Sequence, residues 1–267
     1  MSNFMEENLD LPVRDLLKVI QARMTQKSTY FGVQTMKSPT DFWIYQELIF
    51  EKRPDVIIEI GNYSGGSTLA LAHLCDNIGH GRVIGVDITH VRMAKHIELH
   101  PRITLFEGDA CELFPKISSL IGENERVFII EDSAHTFQNT LKVLQTYSVL
   151  LQQGDYFVVE DSICHHGLNV GPQPGPYEAI ETFISENHAF EIDREREDFL
   201  ITWNPKGYLR CIGNTVNNQT HLPPRSAAKP KRKMIESLRK WVLLLSRPII
   251  VQYAAKAQAK LAKASKN

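Results

Sequence analysis

The sequence predicts an α/β fold in which a mostly parallel sheet is covered by helices on both faces and carries an antiparallel edge. Short apolar, β-branched runs alternate along the chain with segments of helical periodicity, which is the pattern that builds a parallel sheet. The runs are apolar throughout, as in strands buried on both faces. The composition, 43% hydrophobic and 23% charged over 267 residues, is that of a globular chain with an ordinary core.

Two amphipathic stretches precede the first strand, at roughly 11–26 and 40–52, and they predict helices packed beside the sheet. Parallel strands are predicted at 55–60, 82–87, 102–107, 126–131 and 155–160. Between the strands, apolar residues recur every three or four positions over 67–76 and 136–151, which predicts a helix in each segment. Gly154 is a typical stop after the second of these helices.

The antiparallel edge is predicted from three segments that follow the last parallel strand. Residues 189–193, 198–204 and 207–213 are short, apolar or aromatic, and separated by short connections. They therefore predict strands that run back and forth along one side of the sheet.

Charge divides the chain into an acidic body and a basic tail. Residues 229–267 contain eleven Lys or Arg and one acidic residue, so the rest of the chain holds nineteen basic and thirty acidic side chains. The polar segment 214–228 contains two prolines and is typical of a linker. We therefore expect a catalytic domain over 1–213, a linker over 214–228 and a basic tail, helical or disordered, over 229–267.

Six acidic residues fall at or just after the ends of the predicted strands: Glu59, Asp87, Asp109, Asp132, Glu160 and Asp161. Ligands of open α/β sheets bind outside the carboxyl ends of the strands. Carboxylates this close repel one another unless a positive group lies among them. The alternative is that each acid simply caps the helix that follows it. Six acids on successive strand ends favour a functional rim.

The loop "EIGNYSGGST", residues 59–68, follows the first parallel strand and is rich in glycine. A dinucleotide loop needs a second glycine where the pyrophosphate approaches the backbone. Here Gly61 is followed by Asn62 and Tyr63. A ligand without phosphate is therefore favoured, and Asp87, at the end of the second strand, is placed to bind ribose hydroxyls. S-adenosylmethionine (SAM) fits both conditions.

The motifs "EIGNYSGGSTL", "GVDI", "EGDA" and "EDSAH" resemble those of class I SAM-dependent methyltransferases, which have a Rossmann-like fold. The longer segments "YFGVQTMKSPTDFWIYQELIFEKRPDVIIEIG", "VVEDSICHHG", "PGPYEAIE" and "FLITWNPKGYLR" resemble the cephalosporin hydroxylase family. The better understood members of that family are metal-dependent O-methyltransferases of macrolide sugars and rhamnosyl lipids. The resemblance extends from about Tyr30 to Ile212 and leaves out the basic tail.

The resemblance implies roles for individual residues. The implied cofactor-binding residues are Glu59, Gly61 and Ser67 for the methionine part, Asp87 for the ribose, and Asp109 and Ala110 for the adenine. The implied magnesium ligands are Asp132, Glu160 and Asp161. His135 is implied as the base that takes the proton from the acceptor hydroxyl. Tyr30, Lys37 and Asp41 are expected to close over the cofactor.

The implied reaction is Mg²⁺-dependent methyl transfer from SAM to a hydroxyl of a sugar on a glycolipid, polysaccharide or secondary metabolite. A hard cation held by carboxylates lowers the cost of ionising a hydroxyl, and an imidazole titrates near working pH. Two alternatives stay open. A hydroxylase of the same family would depend on iron and oxygen, and a noncatalytic SAM-binding protein would bind the cofactor without turnover.

Partners and location follow less directly from the sequence. The basic tail is consistent with an amphipathic helix on an anionic membrane, which would bring the enzyme to a lipid-linked sugar, or with a solvated arm. Aromatic residues are sparse in it, which disfavours nucleic-acid binding. The four cysteines form no paired motif, and no apolar segment is long enough to span a bilayer. We expect a cytoplasmic protein, peripheral to the membrane if the tail binds lipid, and a homo-oligomer like its relatives.

Overall fold

The computed structural model describes residues 4–213. The linker predicted over 214–228 and the basic tail predicted over 229–267 therefore lie outside the described residues. Within 4–213, none of the helices has the length and apolar character that a membrane span requires.

The described residues form six α-helices: α1 (Val13–Lys27), α2 (Pro39–Lys52), α3 (Gly66–Asn77), α4 (Ala110–Ser118), α5 (Phe137–Tyr147) and α6 (Pro176–Glu186). They form nine strands: β1 (Thr29–Tyr30), β2 (Val33–Gln34), β3 (Val56–Ile60), β4 (Arg82–Asp87), β5 (Ile103–Glu107), β6 (Val127–Glu131), β7 (Tyr156–Val159), β8 (Phe190–Ile192) and β9 (Tyr208–Cys211). The predicted parallel strands are all present, with bounds that differ by at most one residue at either end.

Seven strands form one sheet in the order β5-β4-β3-β6-β7-β9-β8, and β1 pairs with β2 in a separate antiparallel ribbon. The pairs from β5 to β7 are parallel, whereas β9 pairs antiparallel with both β7 and β8. The predicted mostly parallel sheet with an antiparallel edge is confirmed. Strand order reverses between β3 and β6, and the crevice at such a switch point is the usual ligand site of open α/β sheets.

Each face of the sheet packs into its own apolar layer because side chains alternate along a strand. Ile58 and Ile129 belong to the layer that also contains residues of α5 and α6. Ile57 and Phe128 belong to the opposite layer, which contains residues of α2 and α3. All five residues of β3 are buried. Burial on both faces explains why β3, β6 and β7 are mostly apolar, whereas β5, at the edge of the sheet, is buried only at Ile103.

The strand predicted over 198–204 is wrong. Only β8 and β9 form the antiparallel edge, and the segment between them is irregular. Its polar groups bond to side chains instead of to a neighbouring strand: the backbone N–H of Trp203 donates to Asp41, and that of Asn204 donates to the Thr202 hydroxyl. Leu200 has a φ of 61°, which no strand residue adopts.

The turn after β3 brings the backbone close to the end of β6. The N–H of Asp132 donates to the carbonyl of Ile60 at 2.8 Å. Gly61 has a φ of +93°, and a Cβ added there would lie 1.9 Å from the carbonyl oxygen of Asp132. Only glycine fits this conformation and this gap. The close approach sets the width of the crevice at the switch point.

We therefore expect Gly61→Ala to destabilise the protein far more than Gly79→Ala. Gly79 also has a positive φ, +65°, but no atom lies within 4 Å of its added Cβ. Gly79→Ala should cost about 1–2 kcal/mol from backbone strain alone, and Gly61→Ala should cost at least about 2 kcal/mol more because the backbones must separate. Urea unfolding of the two variants measures the difference. Equal losses would contradict the close approach.

Candidate active site

A cavity of about 560 Å³ opens at the carboxyl ends of the central strands, a volume typical of small-molecule sites. Its walls come from the loops after β3, β4, β5 and β6, together with α1 and the β2–α2 segment. The predicted site residues that line it are Gly61, Ser67, Asp87, Asp109, Ala110, Asp132, His135 and Asp161. Glu59 and Glu160 are buried beside these residues and do not line the cavity themselves.

Asp87 holds the glycine loop in shape. Its Oδ2 accepts hydrogen bonds from the backbone N–H groups of Asn62 and Tyr63, both at 2.7 Å. Its Oδ1 accepts only a long bond, 3.3 Å, from the N–H of Thr89. One carboxylate oxygen is thus used by the fold, and the other keeps acceptor capacity in a residue that lines the cavity. The Tyr63 phenol accepts a hydrogen bond from Arg92, whose guanidinium also lies over the ring.

Asp109 is the N-cap of α4. Its Oδ1 accepts from the backbone N–H groups of Cys111 and Glu112, at 2.8 and 3.0 Å, which is how an aspartate stabilises a helix start. The capping alternative considered for the strand-end acids is therefore correct for this residue. Asp109 nevertheless lines the cavity together with Ala110, whose carbonyl accepts a bond from the Tyr147 hydroxyl.

Glu59 is fully buried at the base of the glycine loop, with 0% of the residue exposed. Its Oε2 accepts hydrogen bonds from the Asn62 amide, at 2.9 Å, and from the Thr68 hydroxyl. Its Oε1 has no hydrogen-bond partner among the described residues and lies 3.8 Å from Nζ of Lys37. A buried carboxylate oxygen without a partner is costly. The arrangement fits a donor supplied by a ligand.

His135 lies between two carboxylates beyond β6 and β7. Its Nε2 is 3.3 Å from Oδ2 of Asp161 and 3.7 Å from Oδ1 of Asp132. One ligand atom from each of these three residues lies within 4.8 Å of the other two, close enough to hold one metal ion. Glu160 is outside this set, because its Oε1 accepts hydrogen bonds from Lys37 at 2.5 Å and from the Tyr45 hydroxyl at 2.9 Å.

The electrostatics of the cluster favour an added cation. Burial, with a smaller contribution from nearby Asp132, raises the pKa of Asp161 to about 6 against the opposing effect of His135. Burial likewise raises the pKa of Glu160, with Asp132 adding to the shift. Burial alone would lower the pKa of His135, but Asp161, Asp132 and Glu131 outweigh it and raise that pKa. Negative charge therefore exceeds what the local cations neutralise.

Backbone strain concentrates at the same place. Tyr63, His135 and Asp161 have φ values of 50°, 54° and 56°, in the left-handed region that non-glycine residues seldom adopt. Each such conformation is costly and persists only where surrounding contacts enforce it. The turns at these residues direct their side chains to the cavity wall instead of along the strands.

Residues outside the predicted set complete the site. Lys37, expected to close over the cofactor, lines the cavity and donates to Asp132 and Glu160, both at 2.5 Å. Tyr45 binds Glu160 and accepts a bond from the Asn204 amide. No local sequence pattern identifies Lys37 or Tyr45 as site residues, because the carboxylates they bind lie 95 to 123 positions away in the sequence. The one sequence feature that marks Lys37 is its position immediately before Ser38 and Pro39, at the start of a predicted helix.

The expectation that Asp41 closes over the cofactor is wrong. Asp41 is 3% exposed and accepts hydrogen bonds from the Thr202 hydroxyl, the Trp203 N–H and the Tyr208 hydroxyl, at 2.5, 2.8 and 2.8 Å. These bonds tie α2 to the segment before β9. Tyr30, named with it, donates to or accepts from His73 at 3.1 Å and does not line the cavity.

Comparison with known proteins confirms the resemblance. Residues 22–212 match the family Rhamnosyl O-methyltransferase/CmcI. The rhamnosyl O-methyltransferase of Mycobacterium tuberculosis strain H37Rv is 36% identical over 192 residues, which cover 68% of this chain and 78% of the relative. That of Mycobacterium leprae is 35% identical over 193 residues, covering 68% and 82%.

Solved structures of CmcI have the same fold. A CmcI structure with Mg and SAM aligns with a TM-score of 0.55 and 27% identity, over 70% of this chain and 77% of that one. A CmcI structure with S-adenosylhomocysteine (SAH) aligns with a TM-score of 0.53 and 25% identity, over 70% and 83%. The chain is a SAM-dependent O-methyltransferase, and it belongs to the rhamnosyl O-methyltransferase/CmcI family.

Proposed function

We propose that this enzyme transfers a methyl group from SAM to a hydroxyl of a sugar, and that the reaction depends on Mg²⁺. The observation that carries the proposal is the cluster of Asp132, His135 and Asp161, whose ligand atoms lie within 4.8 Å of one another. The cluster lines the same cavity as the glycine loop. The proposed base, the proposed cation site and the glycine loop therefore all line the same cavity.

The cavity suits SAM. Glu59, fully buried beneath the loop, would attract the positively charged amino group of the methionine part through its charge. Asp87 would bind the ribose through its free acceptor capacity, and Asp109 with Ala110 would contact the adenine. Gly61 and Ser67 would border the methionine part. Acidic residues on every side suit a ligand that carries no phosphate and a positive sulfonium.

The donor set of the cluster suits Mg²⁺. Hard divalent cations prefer carboxylate oxygens, whereas zinc favours imidazole and thiolate. Asp132 and Asp161 would hold the ion, with Oδ1 of Asp132 and Oδ2 of Asp161 facing His135. Glu160 lies outside the cluster and would have to exchange its bond from Lys37 to serve as the third ligand. A cation bound there would act as a Lewis acid that lowers the pKa of a neighbouring hydroxyl.

His135 is placed to act as the general base. Its Nε2 would take the proton from the acceptor hydroxyl while that oxygen forms a bond to the methyl carbon and the carbon–sulfur bond breaks, leaving SAH. In the absence of a metal ion, Asp161 and Asp132 outweigh the effect of burial and raise the pKa of His135, because negative neighbours stabilise the imidazolium.

A sugar acceptor is supported by the chemistry of the site and by the names of the relatives. Vicinal hydroxyls offer two oxygens to one cation, so a single sugar ring can be both bound and activated. The part of the cavity wall supplied by Gln21, Met24, Thr25 and Met36 combines polar and apolar groups, as binding of a sugar ring requires. The curated relatives act on rhamnosyl groups.

The hydroxylase alternative is disfavoured by the composition of the cluster. Oxygen-activating non-haem iron is typically held by two histidines and one carboxylate. The candidate metal cluster among residues 4–213 contains one histidine and two carboxylates. Methyl transfer uses that histidine as a base, which an iron ligand could not be.

We expect methyl transfer to stop in the presence of EDTA and to return when excess Mg²⁺ is added. Asp132→Asn should lower kcat by about 100-fold or more, because a cation at an ionising hydroxyl is worth several kcal/mol. Asp10→Asn, which changes an exposed aspartate, should have no effect. Mass spectrometry of SAH and of a methylated rhamnoside, within a panel of glycosides, measures the reaction. Full activity in EDTA would refute the metal requirement.

We expect His135→Gln to lower kcat by about 10²–10⁴-fold, the usual contribution of a general base, while the Kd for SAM stays unchanged. His188→Gln is the matched control, because His188 is exposed and does not line the cavity. Rate measurements at saturating SAM, with SAM affinity from calorimetry, separate catalysis from binding. A variant with normal kcat would remove His135 from the mechanism.

A further inference from the structure

Lys37 places a buried ammonium group inside the carboxylate cluster. Its side chain is 7% exposed, and its Nζ lies 2.5 Å from Oδ2 of Asp132, 2.5 Å from Oε1 of Glu160 and 3.8 Å from Oε1 of Glu59. Glu59 is too distant for a hydrogen bond. The ammonium therefore binds two carboxylates directly and acts on the third through its charge.

These ion pairs differ from those on a protein surface. Exposed pairs contribute little because water screens them, whereas a charge out of water must be neutralised by its neighbours. Glu59, Asp132 and Glu160 lie at the ends of three adjacent strands, β3, β6 and β7, and all three lie within 4 Å of one amine. In the protein without a divalent cation, Lys37 supplies the positive charge that these carboxylates need.

Lys37 and the divalent cation share ligands. Lys37 occupies Oδ2 of Asp132 and Oε1 of Glu160. The opposite side of the cluster, with Oδ1 of Asp132 and Oδ2 of Asp161, faces His135. An ion bound on that side is separated from the Lys37 ammonium by the Asp132 carboxylate alone. An ion that also binds Glu160 competes directly with Lys37 for the same oxygen.

The carboxylates have supports other than Lys37. The N–H of Asp132 donates to the carbonyl of Ile60 at 2.8 Å, which fixes the start of the loop after β6. Glu160 keeps a hydrogen bond from the Tyr45 hydroxyl at 2.9 Å, and Asn204 in turn donates to Tyr45 at 2.8 Å. Removal of the ammonium should therefore leave the ligands in place with excess negative charge.

We propose that Lys37 is a built-in cation that stabilises the metal-free site and weakens its affinity for the divalent ion. The inference rests on the metal site proposed above. The ammonium and the ion compete for the same carboxylates, so the site stays assembled when empty and the ion binds reversibly. Lys37 is thus a positioning residue that tunes occupancy, without contact to the reacting atoms.

The test compares Lys37→Met with the full-length wild type by calorimetric titration with MnCl₂ and by thermal unfolding. Methionine keeps an unbranched chain of similar length and removes the charge. We expect Mn²⁺ to bind the variant about tenfold or more tightly, a change of about 1.4 kcal/mol. The melting temperature of the metal-free variant should fall by about 5 °C or more, and Mn²⁺ should restore it.

Two controls isolate the charge. Lys37→Arg retains it and should bind Mn²⁺ with nearly wild-type affinity. Lys18→Met removes an exposed lysine from a surface pair with Asp15, and it should change neither measurement. If Lys37→Met is unfolded without metal, Mn²⁺ should restore its folding. If Lys37→Met stays unfolded both with and without Mn²⁺ while Lys37→Arg is folded, the proposal is overturned.

The outcomes separate this inference from the proposed function. Wild type that binds Mn²⁺ no better than Asp132→Asn does would refute the metal site itself. Wild type that binds Mn²⁺ at Asp132, with equal or weaker binding by Lys37→Met, would leave the metal site intact and overturn the role of Lys37 as a competing cation.

Discussion

The site depends on one electrostatic constraint: carboxylates carried to a single rim by parallel strands must be neutralised while they are out of water. Glu59, Asp132 and Glu160 lie at the ends of the adjacent strands β3, β6 and β7, and the Nζ atom of Lys37 lies within 4 Å of all three carboxylates. Without a cation, burying so many negative groups would cost several kcal/mol each. Under the function proposed above, the same concentration of negative charge would attract SAM and a divalent ion. The stability of the metal-free protein and the affinity for these ligands would then depend on one balance of charges.

Most of the fold could be predicted because its signals are local. A strand buried on both faces is mostly apolar, and β3 is buried at every position, so the run at 55–60 was sufficient to identify it. The strand predicted over 198–204 was wrong for the same reason, because the composition of that segment resembles that of a strand. Its backbone bonds to Asp41 and to its own Thr202 hydroxyl, and this competition with sheet bonding depends on a helix more than 150 positions earlier in the chain. Tertiary contact outweighed local propensity.

The site was predictable only as far as strand ends define it. Parallel strands deliver their carboxyl ends to one edge, so the acids that follow them were expected to gather there. Which acids bind ligands could not be read from position. Asp109 and Asp87 use one oxygen each to bond backbone N–H groups, and the roles of all the predicted residues stay predictions. Lys37 and Tyr45 reach Glu160 across 123 and 115 positions, so no periodicity or spacing in the sequence could place them in the cluster.

The strained turns at His135 and Asp161 explain how the fold holds these two side chains at the rim of the sheet. A strand that continued in extended conformation would carry these side chains away from the crevice, whereas a positive φ at each residue returns them to the rim. Such strain costs about 1–3 kcal/mol per residue. It is offset by the packing of the strands beneath and by contacts such as the bond from the Asp161 N–H to the Asn204 side chain. Under the function proposed above, the folded sheet supplies this energy before any ligand arrives, so the side chain of His135 would need little reorganisation during methyl transfer; preorganised charge of this kind is the largest single source of catalysis in many enzymes.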